Sequence, residues 1–268
     1  MKNLETTLLP AETLVPSMPK MRKFRSPEVV QVLDRVRFEL ADQNEYSEFC
    51  WFAREYPRCY RFHMDGADFR LGSVHRALTE LSNHLAALAI NDDRTFEFSC
   101  GNATAHQVYW DFESFLSEVN VALDLLARVV GPAFAQESPP SFNKLCKKTG
   151  DHPLLVEFRR AQTRWVQRMK DYRDCFIHYT PVDTMLMVTL TKYPTGWEFR
   201  AKLPNNPNVR EILGFRYSRK VELLRYAITV HRNMAAFDKR VAAIIERKYS
   251  AGEFPVRRDH LFFVGARS

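Results

Sequence analysis

Glycine is scarce in this chain, with 9 in 268 residues. Glycine is what lets a backbone turn tightly or approach a phosphate closely, so its scarcity argues against folds built on phosphate-cradling loops. No G-x-x-x-x-G-K-[ST], G-x-G-x-x-G or G-x-S-x-G motif occurs. The five cysteines (Cys50, Cys59, Cys100, Cys146 and Cys175) include no C-x-x-C pair. Their odd number and scattered spacing suit reduced thiols of a cytoplasmic protein better than a disulfide framework. Of the eight histidines, none stands four residues from another, and there is no H-E-x-x-H or Cys/His cluster. A metal site therefore has little support, and no cofactor is expected. No apolar run reaches the ~18 residues that span a bilayer. Glu5 and Glu12 interrupt the start of the chain, which does not read as a secretion signal, and no membrane partner is expected.

Aromatic residues, in contrast, are plentiful: 20 Phe, 10 Tyr and 4 Trp. With a hydrophobic fraction of 46%, the chain has the material for an ordinary core, in one large domain or two small ones. The net charge of +7 is unevenly spread. Residues 1–143 carry 14 basic and 20 acidic side chains, whereas residues 144–178 carry 9 and 4, and residues 216–258 carry 11 and 4. Such a concentrated basic excess fits a polyanionic partner, although a solvated basic face alone has the same composition.

Periodicity predicts a mainly α fold. Residues 1–25, with Pro10, Pro16 and Pro19 before a basic run, read as a flexible arm. Ser26-Pro27-Glu28 looks like a helix start. Two helices follow, to about Leu40 and through Tyr46–Arg54, and residues 57–71 read as irregular around Pro57 and Gly66. Residues 26–71 thus form an N-terminal helical extension to a domain over 72–253, with an extended tail at 254–268. Val74, Leu78, Leu81, Leu85 and Leu88 mark the first long helix of that domain, and Val108 to Val130 the second. Leu155, Phe158, Trp165, Met169, Tyr172 and Phe176 mark the third, with Gln162 interrupting the stripe. A fourth runs from about Ser218 to Arg247. Between the third and fourth, Leu186, Val188 and Leu190 alternate with Met187, Thr189 and Thr191, and Trp197–Arg200 alternates again after Pro194-Thr195-Gly196. A β-hairpin is expected at about 184–202. Asn91-Asp92-Asp93 reads as a helix-ending loop.

The chemistry concentrates in Tyr172-Arg173-Asp174-Cys175-Phe176-Ile177-His178-Tyr179, near the end of the third helix. Residues five apart on an ideal helix point about 140° away from each other. For Arg173 and His178 to serve one site, the helix must end or bend here, or a second copy of the chain must complete the site. Pro181 disfavours helix just beyond. An Arg, a polar residue, three more residues and a His resemble the R-x4-6-H signature of the HEPN superfamily, carried here by Arg173, Asp174 and His178. The resemblance covers about residues 70–180. It implies a small helical bundle, here with extra N-terminal helices and the inserted hairpin. It also implies a metal-independent endoribonuclease acting as a homodimer, in which two motifs form one composite active site. Members often work in toxin–antitoxin or antiviral systems, so an antitoxin or regulatory protein is a possible partner beside RNA.

The residue chemistry fits that implication. The RNA 2′-hydroxyl can attack the adjacent phosphate and leave 2′,3′-cyclic phosphate and 5′-hydroxyl ends. The reaction needs a group that exchanges protons near neutrality, for which His178 is suited. It also needs a cation for the charge on the phosphate oxygens, for which Arg173 is suited. Asp174 is placed to orient either partner or to polarise the His. Arg164, Arg168 and Lys170 on the preceding turns are candidates for RNA phosphates, and Tyr179 for stacking a base. Tyr172 lies on the apolar stripe and reads as core. Two other readings remain. An Arg and a His near a helix end commonly serve as a salt bridge and a C-cap, and the same basic face would suit a non-catalytic RNA- or protein-binding module. His231-Arg232-Asn233 has the wrong order for the motif and is expected on the polar side of the fourth helix.

Overall fold

The computed structural model describes residues 13–14, 27–41, 48–87, 96–100, 103–130, 141–179, 186–193, 196–211 and 214–251. Within them the protein is mainly helical, with one small sheet. Helix α1 (Glu28–Ala41) follows Pro27, whose carbonyl accepts the Gln31 N–H at 3.1 Å. Ser26, the expected cap, lies outside the described residues.

Helix α2 (Glu48–Ala87) is a single 40-residue element through Pro57 and Gly66. The irregular stretch expected over 57–71 is therefore helical, and the domain boundary expected after residue 71 falls inside a helix. The reason is packing. Tyr60, Met64, Ala67, Leu71, Val74, Leu78, Leu81 and Leu85 step by fours and threes along one buried stripe. That burial outweighs the roughly 1 kcal/mol that an interior glycine costs relative to alanine. Gly66 also sits where the neighbouring helix comes close: a Cβ there would stand 3.0 Å from the Glu118 carboxylate, which His63 Nδ1 meets at 2.6 Å.

Helix α3 (Ala103–Val130) lies along α2, with Val108, Phe112, Phe115, Val119, Leu123, Leu126 and Val130 all buried, as their spacing predicts. A short α4 (Phe142–Cys146) is capped by the Ser141 hydroxyl, which accepts the Lys144 N–H. Pro153 then opens a helix that continues to Tyr179 as α5 (Pro153–Ala161), a π turn (Gln162–Val166), α6 (Gln167–Asp174) and a second π turn (Cys175–Tyr179). The polar Gln162 that interrupts the apolar stripe begins the first π turn.

Helix α7 spans Leu223–Ser250. It starts later than its apolar pattern suggests, because Tyr217–Glu222 is a strand and the Glu222 carboxylate caps the helix, accepting the Leu224 and Arg225 N–H groups at 2.9 and 2.7 Å. The sheet comprises β1 (Thr13–Leu14), β2 (Phe96–Cys100), β3 (Leu186–Tyr193), β4 (Gly196–Pro204) and β5 (Tyr217–Glu222). Its order is β1-β4-β3-β2, with β5 also paired to β4. The expected hairpin is β3–β4, with Tyr193 opposite Gly196. Instead of standing alone it is the centre of the sheet. Thr13–Leu14, inside the expected arm, pairs in parallel with Trp197–Glu198. The rest of the arm, the loop at 91–93 and the tail at 254–268 lie outside the described residues. One continuous core joins Val29 and Leu33 of α1 to α2, α3, the sheet and α7.

The join between α1 and α7 carries a pH signature. Asp238 on α7 accepts the Glu28 N–H at 2.6 Å and the Tyr60 hydroxyl at 3.0 Å. Burial pushes its carboxyl from 3.8 up to about 6, against the pull of those hydrogen bonds. The folded state therefore holds a proton that the unfolded chain releases between about pH 4 and 6. This group's contribution to stability is full below that window and falls as pH rises through it. Thermal melts of the parent and Asp238→Asn across pH 4 to 7 are expected to show the parent losing stability relative to the variant as pH rises. The differential is on the order of 3 kcal/mol, and a flat difference would rule the effect out.

Candidate functional site

Arg173, Asp174 and His178 lie at the junction of α6 and the second π turn. The i→i+5 hydrogen bonding of a π turn takes up one more residue than an α-helical turn. Across it, residues five apart approach the offset of residues four apart on an α-helix, about 40° rather than 140°. Of the ways by which the two residues could serve one site, a change of helix type lies at this position. Arg173 is partly exposed, and its Nε and Nη2 donate to Asp174 Oδ1 at 3.1 and 2.8 Å. Among the two roles open to Asp174, this geometry is that of a guanidinium holder. His178 is exposed, next to Ile177, which is 42% exposed.

The residues expected to contact RNA separate. Arg164 and Arg168 are exposed. The Arg168 guanidinium lies 5.8 Å from the Tyr172 ring centroid, and its Nη2 reaches the Tyr172 hydroxyl at 3.5 Å. Lys170 does not join them. It is buried, its Nζ donates to Asn143 Oδ1 at 2.9 Å, and it sits 5.4 Å from the Phe142 ring centroid. Burial holds its pKa below the usual lysine value. Helix α4, too short to leave a periodic trace in the sequence, covers this side of α6. Lys170 therefore ties α6 to α4 and offers no charge to a ligand. The Tyr179 side chain lies outside the described residues. Tyr172 is core, as its place on the stripe predicts: its hydroxyl donates to the Pro204 carbonyl at 2.6 Å and its ring packs 4.7 Å from Tyr226.

The two basic segments of the sequence are spatial neighbours. Phe158 and Trp165 meet Phe237, and Tyr172 meets Tyr226, so the helix over residues 153–179 runs antiparallel to α7. Exposed Arg160, Arg164 and Arg168 on one helix stand beside a helix with exposed Arg225, Arg232 and Lys239. Arg159 is different. It donates to the carbonyls of Cys146, Lys148 and Gly150 and closes the loop before α5. His231, expected on the polar side of α7, is buried and pairs with Asp68 of α2. It lies three residues before the buried Met234, which turns it toward the core.

Sequence reasoning missed a polar recess on the sheet, lined by Thr189, Thr191, Tyr193, Glu198, Arg200, Lys202, Val221 and Glu222. The signal for it was present: the polar members of β3 and β4 alternate on the face opposite Val188, Leu190, Phe199 and Ala201. Among the described residues no group of three or more His, Cys, Asp or Glu is arranged to hold a metal ion, and no helix is long and apolar enough to cross a membrane. No protein-family model, curated protein or solved structure matches the chain.

Proposed function

We infer that the protein is an endoribonuclease of the HEPN type that cuts RNA without a metal ion. Arg173 would stabilise the charge on the phosphate oxygens and His178 would transfer the proton, with Asp174 positioning the guanidinium. The observation that carries this reading is the π turn at Cys175–Tyr179. By helix geometry it narrows the angle between residues five apart, and His178 is exposed. Such turns often mark functional positions. The neighbouring basic helices supply a path for the RNA backbone, now with Arg164 and Arg168 but without Lys170. Ile177 exposed beside His178 fits coverage by a second copy of the chain, and the complete site is then a homodimer cleft. An antitoxin or other regulatory protein, acting in a defence system, belongs to the same proposal.

The test is incubation with total RNA in EDTA, followed by analysis of product ends. Fragments with 2′,3′-cyclic phosphate and 5′-hydroxyl ends are expected. Cleavage abolished by EDTA would sink the mechanism. Salt-sensitive RNA binding without products, unaffected by His178→Ala, would favour the non-catalytic binding module instead. Mixing the Arg173→Ala and His178→Ala proteins tests the composite site: partial recovery of cleavage is expected, because a mixed dimer holds one intact Arg and one intact His.

A further inference from the structure

We propose that the outer face of α2 binds the same face of a second copy of the chain, antiparallel, across a two-fold axis. This interface is separate from the cleft inferred around His178 and does not rest on the ribonuclease reading. Among the described residues seven large hydrophobic side chains are exposed, and four of them lie on α2 and α3: Phe62, Phe69, Trp110 and Val121. Phe62 and Phe69 are 69% and 62% exposed, opposite the stripe that α2 buries. Arg70 meets Asp111 and His63 meets Glu118, so α3 runs antiparallel beside α2. Trp110 precedes the partner of Arg70 and is therefore level with Phe69. Val121 is about three turns further along the same exposed side of α3. Phe62, Phe69 and Trp110 together expose roughly 400 Å² of aromatic surface. That is about half of the ~800 Å² that each partner contributes to a standard interface. Grouped apolar exposure of this kind marks an interaction site, unlike single exposed residues.

The charges select the occupant. Glu55, Phe62, Phe69 and Arg76 follow one another at intervals of seven residues. Seven residues fall about 20° short of two full turns, so the four share one slowly winding stripe, the spacing of a coiled-coil seam. The stripe reads acid, Phe, Phe, base, and it is its own complement when reversed. A two-fold axis at its midpoint, beside Asp65 and Gly66, sets Phe62 of each copy opposite Phe69 of the other, and Glu55 opposite Arg76. Each contact then occurs twice, as in any isologous interface. Parallel pairing would set Glu55 against Glu55 and Arg76 against Arg76, and like charges across an interface are unfavourable. Both charged groups are accessible. Glu55 has Arg58 at 3.9 Å as an exposed neighbour on its own helix, a contact of little worth. Arg76 is exposed, with its guanidinium 5.7 Å from the Phe69 ring centroid, where a carboxylate of the second copy can reach it. Asp65, near the axis, lies 3.9 Å from Arg61, which offsets its charge. From Glu55 to Arg76 the stripe rises about 32 Å, which makes two phenylalanine layers closed at each end by an ion pair.

Sedimentation equilibrium tests the interface, with Ile177→Asp as the background so that association through the His178 face is removed. The background protein is expected to dimerise. Phe62→Asp, Glu55→Arg and Arg76→Glu are each expected to weaken that dimer by about tenfold or more, because every substitution acts twice in a symmetric interface. Combining Glu55→Arg with Arg76→Glu restores opposite charges and should recover most of the affinity. Phe62 is exposed, so Phe62→Asp should melt as its parent does, which keeps lost association apart from lost folding. A background protein that stays monomeric would overturn the proposal. So would a dimer indifferent to Phe62→Asp, or a doubly reversed variant that associates no more tightly than the single ones.

Discussion

His178→Ala is expected to lower RNA cleavage by about 10²–10⁴-fold, the range that a positioned proton-transfer group contributes. Its folding stability is expected to change far less than its activity, because His178 is exposed at the last described turn of its helix. The two readouts together separate chemistry from folding. Arg173→Ala should fall comparably, and Arg173→Lys should recover only part of the activity, since a lysine keeps the charge but loses the planar fork that grips phosphate. Asp174→Asn should act through Arg173. It weakens the bonds that Oδ1 accepts from Nε and Nη2, and the expected loss is smaller than for either partner. Arg164→Ala and Arg168→Ala should raise KM and flatten the salt dependence while sparing kcat. Lys170→Ala should instead lower stability, because it strips the hydrogen bond to Asn143 and the cover over Phe142. If His178→Ala cleaved RNA as well as the parent, the imidazole would have no role in proton transfer, and the pair would be a helix-end salt bridge and cap.

The helical content was legible because long amphipathic stripes are redundant. Seven regularly spaced apolar residues mark α3, and one unusual residue cannot hide them. The same redundancy existed in α2, from Tyr60 through Leu71, but Pro57 and Gly66 obscured it. Local punctuation reports what a segment would do alone, and α2 does not fold alone: Gly66 is where Glu118 of α3 lies closest. The sheet was half legible for a similar reason. Strands β3 and β4 pair locally and alternate clearly, whereas β2 and the two-residue β1 take their structure from partners remote in sequence, and β5 joins β4 across an intervening loop. At the site, the spacing of Arg173 and His178 left a helix end, a bend or a second copy of the chain as the ways to join them, and the π turn at Cys175–Tyr179 leaves no spacing signal of its own. The misplacement of Lys170 has a simple cause. A lysine beside an apolar stripe reads as solvent-facing unless the covering element is known, and α4 is only five residues long.

The upstream part of the helix that carries Arg173 and His178 is anchored by Phe237. This side chain is fully buried on α7, with ring centroids of Phe158, Phe142 and Trp165 at 5.0, 6.1 and 6.5 Å. It thereby fastens α4, α5 and the first π turn to one point of α7. Phe237→Ala should cost about 3–5 kcal/mol, the sum of lost transfer energy and a cavity that rigid neighbours cannot close. Phe237→Leu keeps most of the volume and should cost much less. Urea unfolding should show a lower midpoint with an unchanged slope. Phe237 is remote from the π turn at Cys175–Tyr179, and the downstream end of the helix has its own anchor in Tyr172, held by the Pro204 carbonyl and the Tyr226 ring. Under conditions where Phe237→Ala remains folded, its cleavage per folded molecule should therefore match the parent. A cost below about 1 kcal/mol would show that the aromatic cluster does not hold the helix, and the position of Arg173 and His178 would then depend on Tyr172, on Lys170 bonded to Asn143 and on Phe176 packed against Tyr109 and Phe112.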